Sequence, residues 1–196
     1  LDDSNQRQPI ANEDIKTIQN ECKKIDDEKR WLIALIADTG MRLAEGAGLL
    51  RTDFTRQDGV LCVTIRPHRW RSLKTKSSAR VIPLIGSAKW AAEQILDQTC
   101  ESTFAFPTYN YKKRTTANSA SASLNKWLKG RIGQTFSIHS FRHSMRDRLR
   151  EVDCPSEVID QIGGWARSGL GDSYGEGYSL SKMHNYLEKI TFSLNG

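Results

Sequence analysis

QDGVLCVTIRPHRWRSLKTKSSARVIPL, residues 57–84, is the stretch on which the architecture turns. A D-G pair precedes the β-branched run VLCVTI, and ARVIPL supplies a second short run bounded by turn residues. Runs of that kind read as strands, with Asp-Gly as the hairpin turn. Two or three short antiparallel strands therefore form a small sheet, joined by a long basic connection. Everything around this stretch has helical period. The sequence predicts a mainly α chain with a small antiparallel β-sheet, an α+β fold in one domain of 196 residues.

Working outward, Asn12 is placed to cap a helix with Glu13 and Asp14 in its first turn and an apolar stripe of Ile15, Ile18, Cys22 and Ile25. RWLIALIADTG, residues 30–40, is apolar all round, which predicts a buried helix stopped by Gly40. A short helix over 41–50 follows. Beyond the sheet, helices are expected over roughly 87–99, 118–130 and 139–152, then in PSEVIDQIG with Pro155 at a first helical position. SLSKMHNYLEKI closes the chain, with Leu180, Met183, Leu187 and Ile190 at helical spacing. Residues 1–11 are polar, contain Pro9 and read as a linker or arm; the chain opens on Leu1 without methionine, so a longer protein is expected.

A hydrophobic fraction of 38% is enough for a core at this length, and the net charge of +6 suggests an anionic partner. Cys22, Cys62, Cys100 and Cys154 are scattered without metal or disulfide spacing, which fits reduced thiols in a cytoplasm. No run has the apolar length of a membrane span, and no membrane partner is expected.

Where the cations sit matters more than their number. Residues 66–80 carry Arg66, Arg69, Arg71, Lys74, Lys76 and Arg80 against no acid, with His68 and Trp70 interleaved. That density reads as an electrostatic footprint for a phosphate backbone, which KKR at 112–114 extends. His139 and Arg142 in HSFRH share one helix face, pairing an imidazole that titrates near neutrality with a permanently charged fork of donors. Alone, that pair reads more readily as a solvated arginine beside a capping or core histidine, because the spacing is common by chance. His139 and His143 have metal-ligand spacing, yet Ser140 stands where a zinc protease helix carries glutamate, and neither metal nor cofactor is expected. In TGMRLAE, Glu45 is spaced to hold Arg42, as in any helical ion pair. Tyr174 in GLGDSYGEGY is surrounded by glycine, serine and acid, a setting unlike a core tyrosine; Tyr178 and Tyr186 are its rivals.

Taken in order, Arg42 in T-G-x-R-x-x-E, a lysine in the sheet region, His139-x-x-Arg142, Gly164-Trp165 and Tyr174 resemble the catalytic domain of tyrosine recombinases, the phage-integrase-type site-specific recombinases. The resemblance covers residues 12–196 and implies that residues 1–11 link to a preceding core-binding domain. It implies that Arg42 and Arg142 clamp the scissile phosphate, that His139 helps remove the tyrosine proton, and that Lys74 (Lys76 second) protonates the leaving 5′ oxygen. Tyr174 is then the nucleophile of a 3′-phosphotyrosyl intermediate, without metal or ATP. Trp165 stands where the family often has histidine, and its single N–H can bond phosphate without shuttling protons. The implied partner is double-stranded DNA, bound by a homotetramer, with the isolated fragment a monomer. The implied task is integration or excision of a phage or other mobile element.

Three other functions compete: a topoisomerase-like nicking enzyme or dimer resolvase, a DNA-binding protein with a decayed site, and an RNA-binding domain. The filled set of chemical positions argues against decay, and no exposed aromatic platform for single strands is evident. The apolar stripe of the closing helix reads first as packing on its own domain; the resemblance implies instead that the helix docks on a neighbouring protomer, in which case deleting 180–196 would impair assembly more than folding.

Overall fold

The buried run forms α2 (Glu28–Ala37), in which Trp31 through Ala37 are all buried. In the computed structural model, which describes residues 8–99, 101–111, 114–165 and 177–192, α2 packs along α4 (Gly86–Asp97) and against α1 (Asn12–Ile25). Asp27 caps α2 by accepting from the Arg30 N–H at 3.0 Å. Past its end, the Gly40 N–H reaches back to the Ile36 carbonyl at 2.9 Å with φ +63°, the left-handed stop expected from the sequence.

β1 (Phe54–Gln57), β2 (Val60–Ile65) and β3 (Arg80–Pro83) form one antiparallel sheet in sequential order. Asp58 and Gly59 both take positive φ, 50° and 79°, which matches the hairpin's two-residue turn to the sheet twist. The register sets Val63 between Phe54 and Ile82, and all three are buried. Pro83, which has no N–H to give, ends the edge strand. A second hairpin, β4 (Asn110–Tyr111) with β5 (Arg114–Thr115), had no signal in the sequence because each strand is only two residues long.

The remaining helices are α3 (Leu43–Ala47), α5 (Ala117–Ile132), α6 (Ser140–Glu151), α7 (Ser156–Gly163) and α8 (Leu180–Ile190). Three local expectations shift. Ala11, not Asn12, holds the N-cap of α1, and Ile25 at the helix end is 38% exposed. Pro155 precedes α7 as its N-cap. Ile10, expected in a linker, is buried, and its N–H donates to the Ser144 hydroxyl at 2.7 Å. Among the described residues no helix is long and apolar enough to cross a membrane.

α8 lies on its own domain: Met183, Leu187 and Ile190 are buried and Leu180 partly so, against β3 and α6. Its C-terminal carbonyl, Ile190 O, accepts from Arg148 Nη2, which also pairs with Asp38 Oδ1 at 3.1 Å. Asp38 Oδ2 in turn accepts the Ser87 N–H at 2.9 Å and hydroxyl at 2.6 Å. This buried node ties α2, α4, α6 and α8 together. On the N-terminal side of α8, Gln161 of α7 clasps Tyr178, accepting its N–H at 2.8 Å and donating to its carbonyl at 2.9 Å.

Candidate phosphate-binding site

Arg42 leads into α3 in extended conformation, so its N–H and side chain both face the first turn of the helix. Its N–H donates to Glu45 Oε2 at 2.9 Å, and its Nη1 donates to Glu45 Oε1 at 2.8 Å and to the Ser78 hydroxyl at 3.0 Å. Glu45 is buried and takes a second guanidinium, Arg80 Nη2, at 3.0 Å. Burial alone would push the Glu45 carboxyl up. The Arg80 charge and hydrogen bond, with the two bonds from Arg42, outweigh it and hold the carboxyl below its ordinary value.

That shift has a sign. A carboxylate with a depressed folded pKa contributes stability that is present above its unfolded pKa of about 4.3 and is lost as pH falls through the lower folded value. Acid unfolding followed below about pH 4 should therefore be shallower in Glu45→Gln, whose stability starts lower and has no such carboxylate to protonate.

Arg142 stands one turn into α6 and is 3% exposed. Its Nη1 donates to Gly40 O at 2.8 Å and Gly163 O at 2.6 Å, pinning the loop before Arg42 to the end of α7. Its Nη2 is buried and has no hydrogen-bond partner among the described residues. Burial, then the charges of Arg42 and Arg80, push this guanidinium down to about 9. Three arginines thus surround one carboxylate, and the pocket is short of negative charge by two. An anion bound against these guanidiniums would offset part of that excess positive charge.

Trp165 covers this arrangement. Its ring lies 4.1 Å from the Arg142 guanidinium carbon and 4.7 Å from that of Arg146. The ring packs so closely on Gly163 that a β-carbon there would fall inside it. Gly164, at φ +64°, makes the left-handed turn that folds the tryptophan back. His139 precedes α6, half-buried, with its ring 5.2 Å from that of His143. It also lines a polar cavity of about 490 Å³ with Leu43, Ser121, Asn125 and Lys129. Among the described residues no group of three histidine, cysteine or acidic side chains could hold a metal ion.

The basic connection divides into two kinds of cation. Arg69, Lys74 and Lys76 are exposed, and Arg66 is exposed while bonding Asp53 Oδ1 at 2.8 Å. Arg71 and Arg80 are not surface cations, which corrects the reading of 66–80 as one exposed footprint. Arg71 is 6% exposed, with its guanidinium buried beside Gly48 and Thr115. The Arg80 side chain is 4% exposed, and each of its three nitrogens donates to a protein acceptor. The interleaved aromatics are also internal: His68 bonds Asp53 Oδ2 at 2.8 Å and stacks on Trp70, whose Nε1 donates to Gly48 O at 3.0 Å.

Lys74 and Lys76 flank Thr75, whose hydroxyl bonds Ser78 at 3.0 Å, and Ser78 is the residue that accepts from Arg42. The lysine turn is thereby attached to the arginine pocket, with both lysines exposed. Tyr174, Lys112 and Lys113 lie outside the described residues. Sequence reasoning missed Ser78 and Asp53. The signal for Ser78 was weak, a serine pair among cations. Asp53 lies further along the chain from Arg66 and His68 than Asp58 does, and only the antiparallel fold-back of β1 on β2 brings it to them.

No curated protein matches the chain by sequence. Among solved structures, XerA recombinase superposes with a TM-score of 0.60 at 16% identity, covering 95% of this chain and 61% of that one. XerH site-specific recombinase bound to difH substrate gives 0.59 at 19% identity, covering 91% and 49%. The Tn1549 transposon integrase in complex with circular intermediate DNA gives 0.62 at 16% identity, covering 97% and 69%. At these identities the likeness shows the fold, and the chain spans less than two thirds of the first two relatives. A family model, by contrast, follows the sequence itself, through the Arg42 loop, the sheet, α6 and Trp165. It is the model of the phage integrase family, it matches residues 8–175, and the chain belongs to that family.

Proposed function

We propose that this chain is the catalytic part of a site-specific DNA recombinase that breaks and rejoins strands through a tyrosine. The observation that carries the reading is the arginine pocket: Arg42, Arg80 and Arg142 around Glu45, with Arg142 Nη2 unbonded among the described residues. Arg42 and Arg142 bind the nonbridging oxygens of the scissile phosphate and neutralise the charge that grows in the transition state. Trp165 donates its indole N–H to the same group. The Tyr174 oxygen attacks phosphorus, its proton leaves toward His139, and the bond from phosphorus to the 5′ oxygen breaks. Lys74 supplies the proton that the departing 5′ oxygen takes up. The product is a 3′-phosphotyrosyl link, which the 5′-hydroxyl of a second strand reverses, so no external energy source enters.

Double-stranded DNA is the proposed substrate, held through Arg66, Arg69, Lys74 and Lys76 on the exposed connection. The DNA-bound states of XerH and the Tn1549 integrase support this partner. On DNA we propose a homotetramer that integrates or excises a phage or other mobile element in the cytoplasm; off DNA, a monomer. The segment before Ile10 leads back to a separate DNA-binding domain.

The test traps the intermediate. The protein is incubated with fragmented host DNA in EDTA and denatured, and the strand-linked peptide is mapped by mass spectrometry. A link on Tyr174, absent in Tyr174→Phe, is the expected result. A link on Tyr178, or cleavage only after magnesium or zinc is restored, overturns the assignment.

A further inference from the structure

We infer that Arg80 is a positioning residue that sets the spacing of the phosphate pocket by joining the three segments that carry its working groups. Its Nη2 donates to Glu45 Oε2 at 3.0 Å, its Nη1 to Ser78 O at 2.6 Å and its Nε to Ile162 O at 2.7 Å. Glu45 holds Arg42, Ser78 closes the lysine turn, and Ile162 stands three residues before Trp165. One planar fork therefore touches the supports of an arginine, a lysine pair and an indole.

Two further contacts sharpen the assignment. Arg80 and Arg142 take consecutive carbonyls, Ile162 O and Gly163 O, at the C-terminal end of α7, where helix carbonyls lack intrahelical partners. A β-carbon on Gly164 would sit 2.6 Å from Arg80 Nη1, so the guanidinium lies directly under the turn that aims Trp165. Arg42 and Arg80 also share both Glu45 and Ser78, the latter through its hydroxyl and carbonyl respectively. Moving Arg80 would shift Arg42, the lysine turn and Trp165 together. With its side chain 4% exposed and each guanidinium nitrogen engaged, it has nothing to offer DNA. A lysine keeps the charge but has one nitrogen, which cannot reproduce three bonds in one plane.

The effect on rate rests on the recombinase reading; the geometric coupling does not, and the experiment separates them. The 196-residue chain is labelled with 5-fluorotryptophan, giving one fluorine signal for each of its five tryptophans, with Trp165 assigned through Trp165→Phe. In Arg80→Lys and in Arg80→Gln the Trp165 signal should shift while those of Trp31 and Trp90 stay in place. On trapping substrates, single-turnover cleavage should fall about 10- to 100-fold, the scale of an ångström misplacement, with DNA affinity within about twofold. An unmoved Trp165 signal overturns the coupling. Affinity and cleavage falling in proportion would make Arg80 a DNA contact. Shifts of all five signals, or variants that do not fold, would make it a core residue. Absence of cleavage in the parent protein sinks the recombinase reading, and the fluorine spectra still decide the role of Arg80.

Discussion

Replacing Arg142 with methionine should lower single-turnover strand cleavage by about 10²- to 10³-fold, the loss seen when a preorganised donor is taken from an acyl-transfer transition state. The expectation follows from the arrangement of its nitrogens. Nη1 is bonded to Gly40 O and Gly163 O, which anchors one arm of the guanidinium, and Nη2 has no hydrogen-bond partner among the described residues. Methionine fills much of the volume and should leave duplex affinity, which the exposed cations dominate, within a few-fold. Stopped-time trapping assays check the rate, and gel shifts check the affinity. A loss smaller than about tenfold would place the phosphate elsewhere.

The largest stability effect should come from a residue far from chemistry. Asp38→Ala leaves Arg148 buried without its carboxylate, and removing one partner from a buried pair costs about 3–5 kcal/mol. Arg148 also holds Ile190 O, so the loss reaches the end of α8. Chemical denaturation with an unchanged m-value measures it; a change under about 1 kcal/mol would mean that the node is solvated. The same packing revises the expectation for deleting 180–196. Met183, Leu187 and Ile190 are core residues, and truncating such side chains individually costs about 2–5 kcal/mol. The deletion should lower the melting temperature of the isolated domain before it affects assembly.

The residues that were legible in the sequence are those whose placement is written in spacing. Arg42 and Glu45 lie one helical turn apart, as do His139 and Arg142, and helical geometry alone puts each pair on one face. The Asp58-Gly59 turn announced the hairpin because only a few residue pairs accept two positive φ angles. The dense cationic stretch was legible only as a total. Charge density cannot say which cation points inward. For Arg80 that is decided by pairing with Ile65 at the head of β3 and by the distant Glu45 and Ile162, contacts that no local pattern encodes. Arg71 was misjudged for the same reason. Burial does not separate Lys74 from Lys76, since both are exposed on one turn. The Asp38–Arg148 node was invisible because its partners are 110 residues apart.

The clasp of Gln161 on Tyr178 has a consequence for how the last two helices share their stability. Gln161 lies on the final turn of α7, and Tyr178 is two residues before α8 begins at Leu180. A single amide therefore fastens the end of one helix to the lead-in of the next. Taking it away would free both at once, so the end of α7 and the start of α8 should loosen as one unit rather than fray separately.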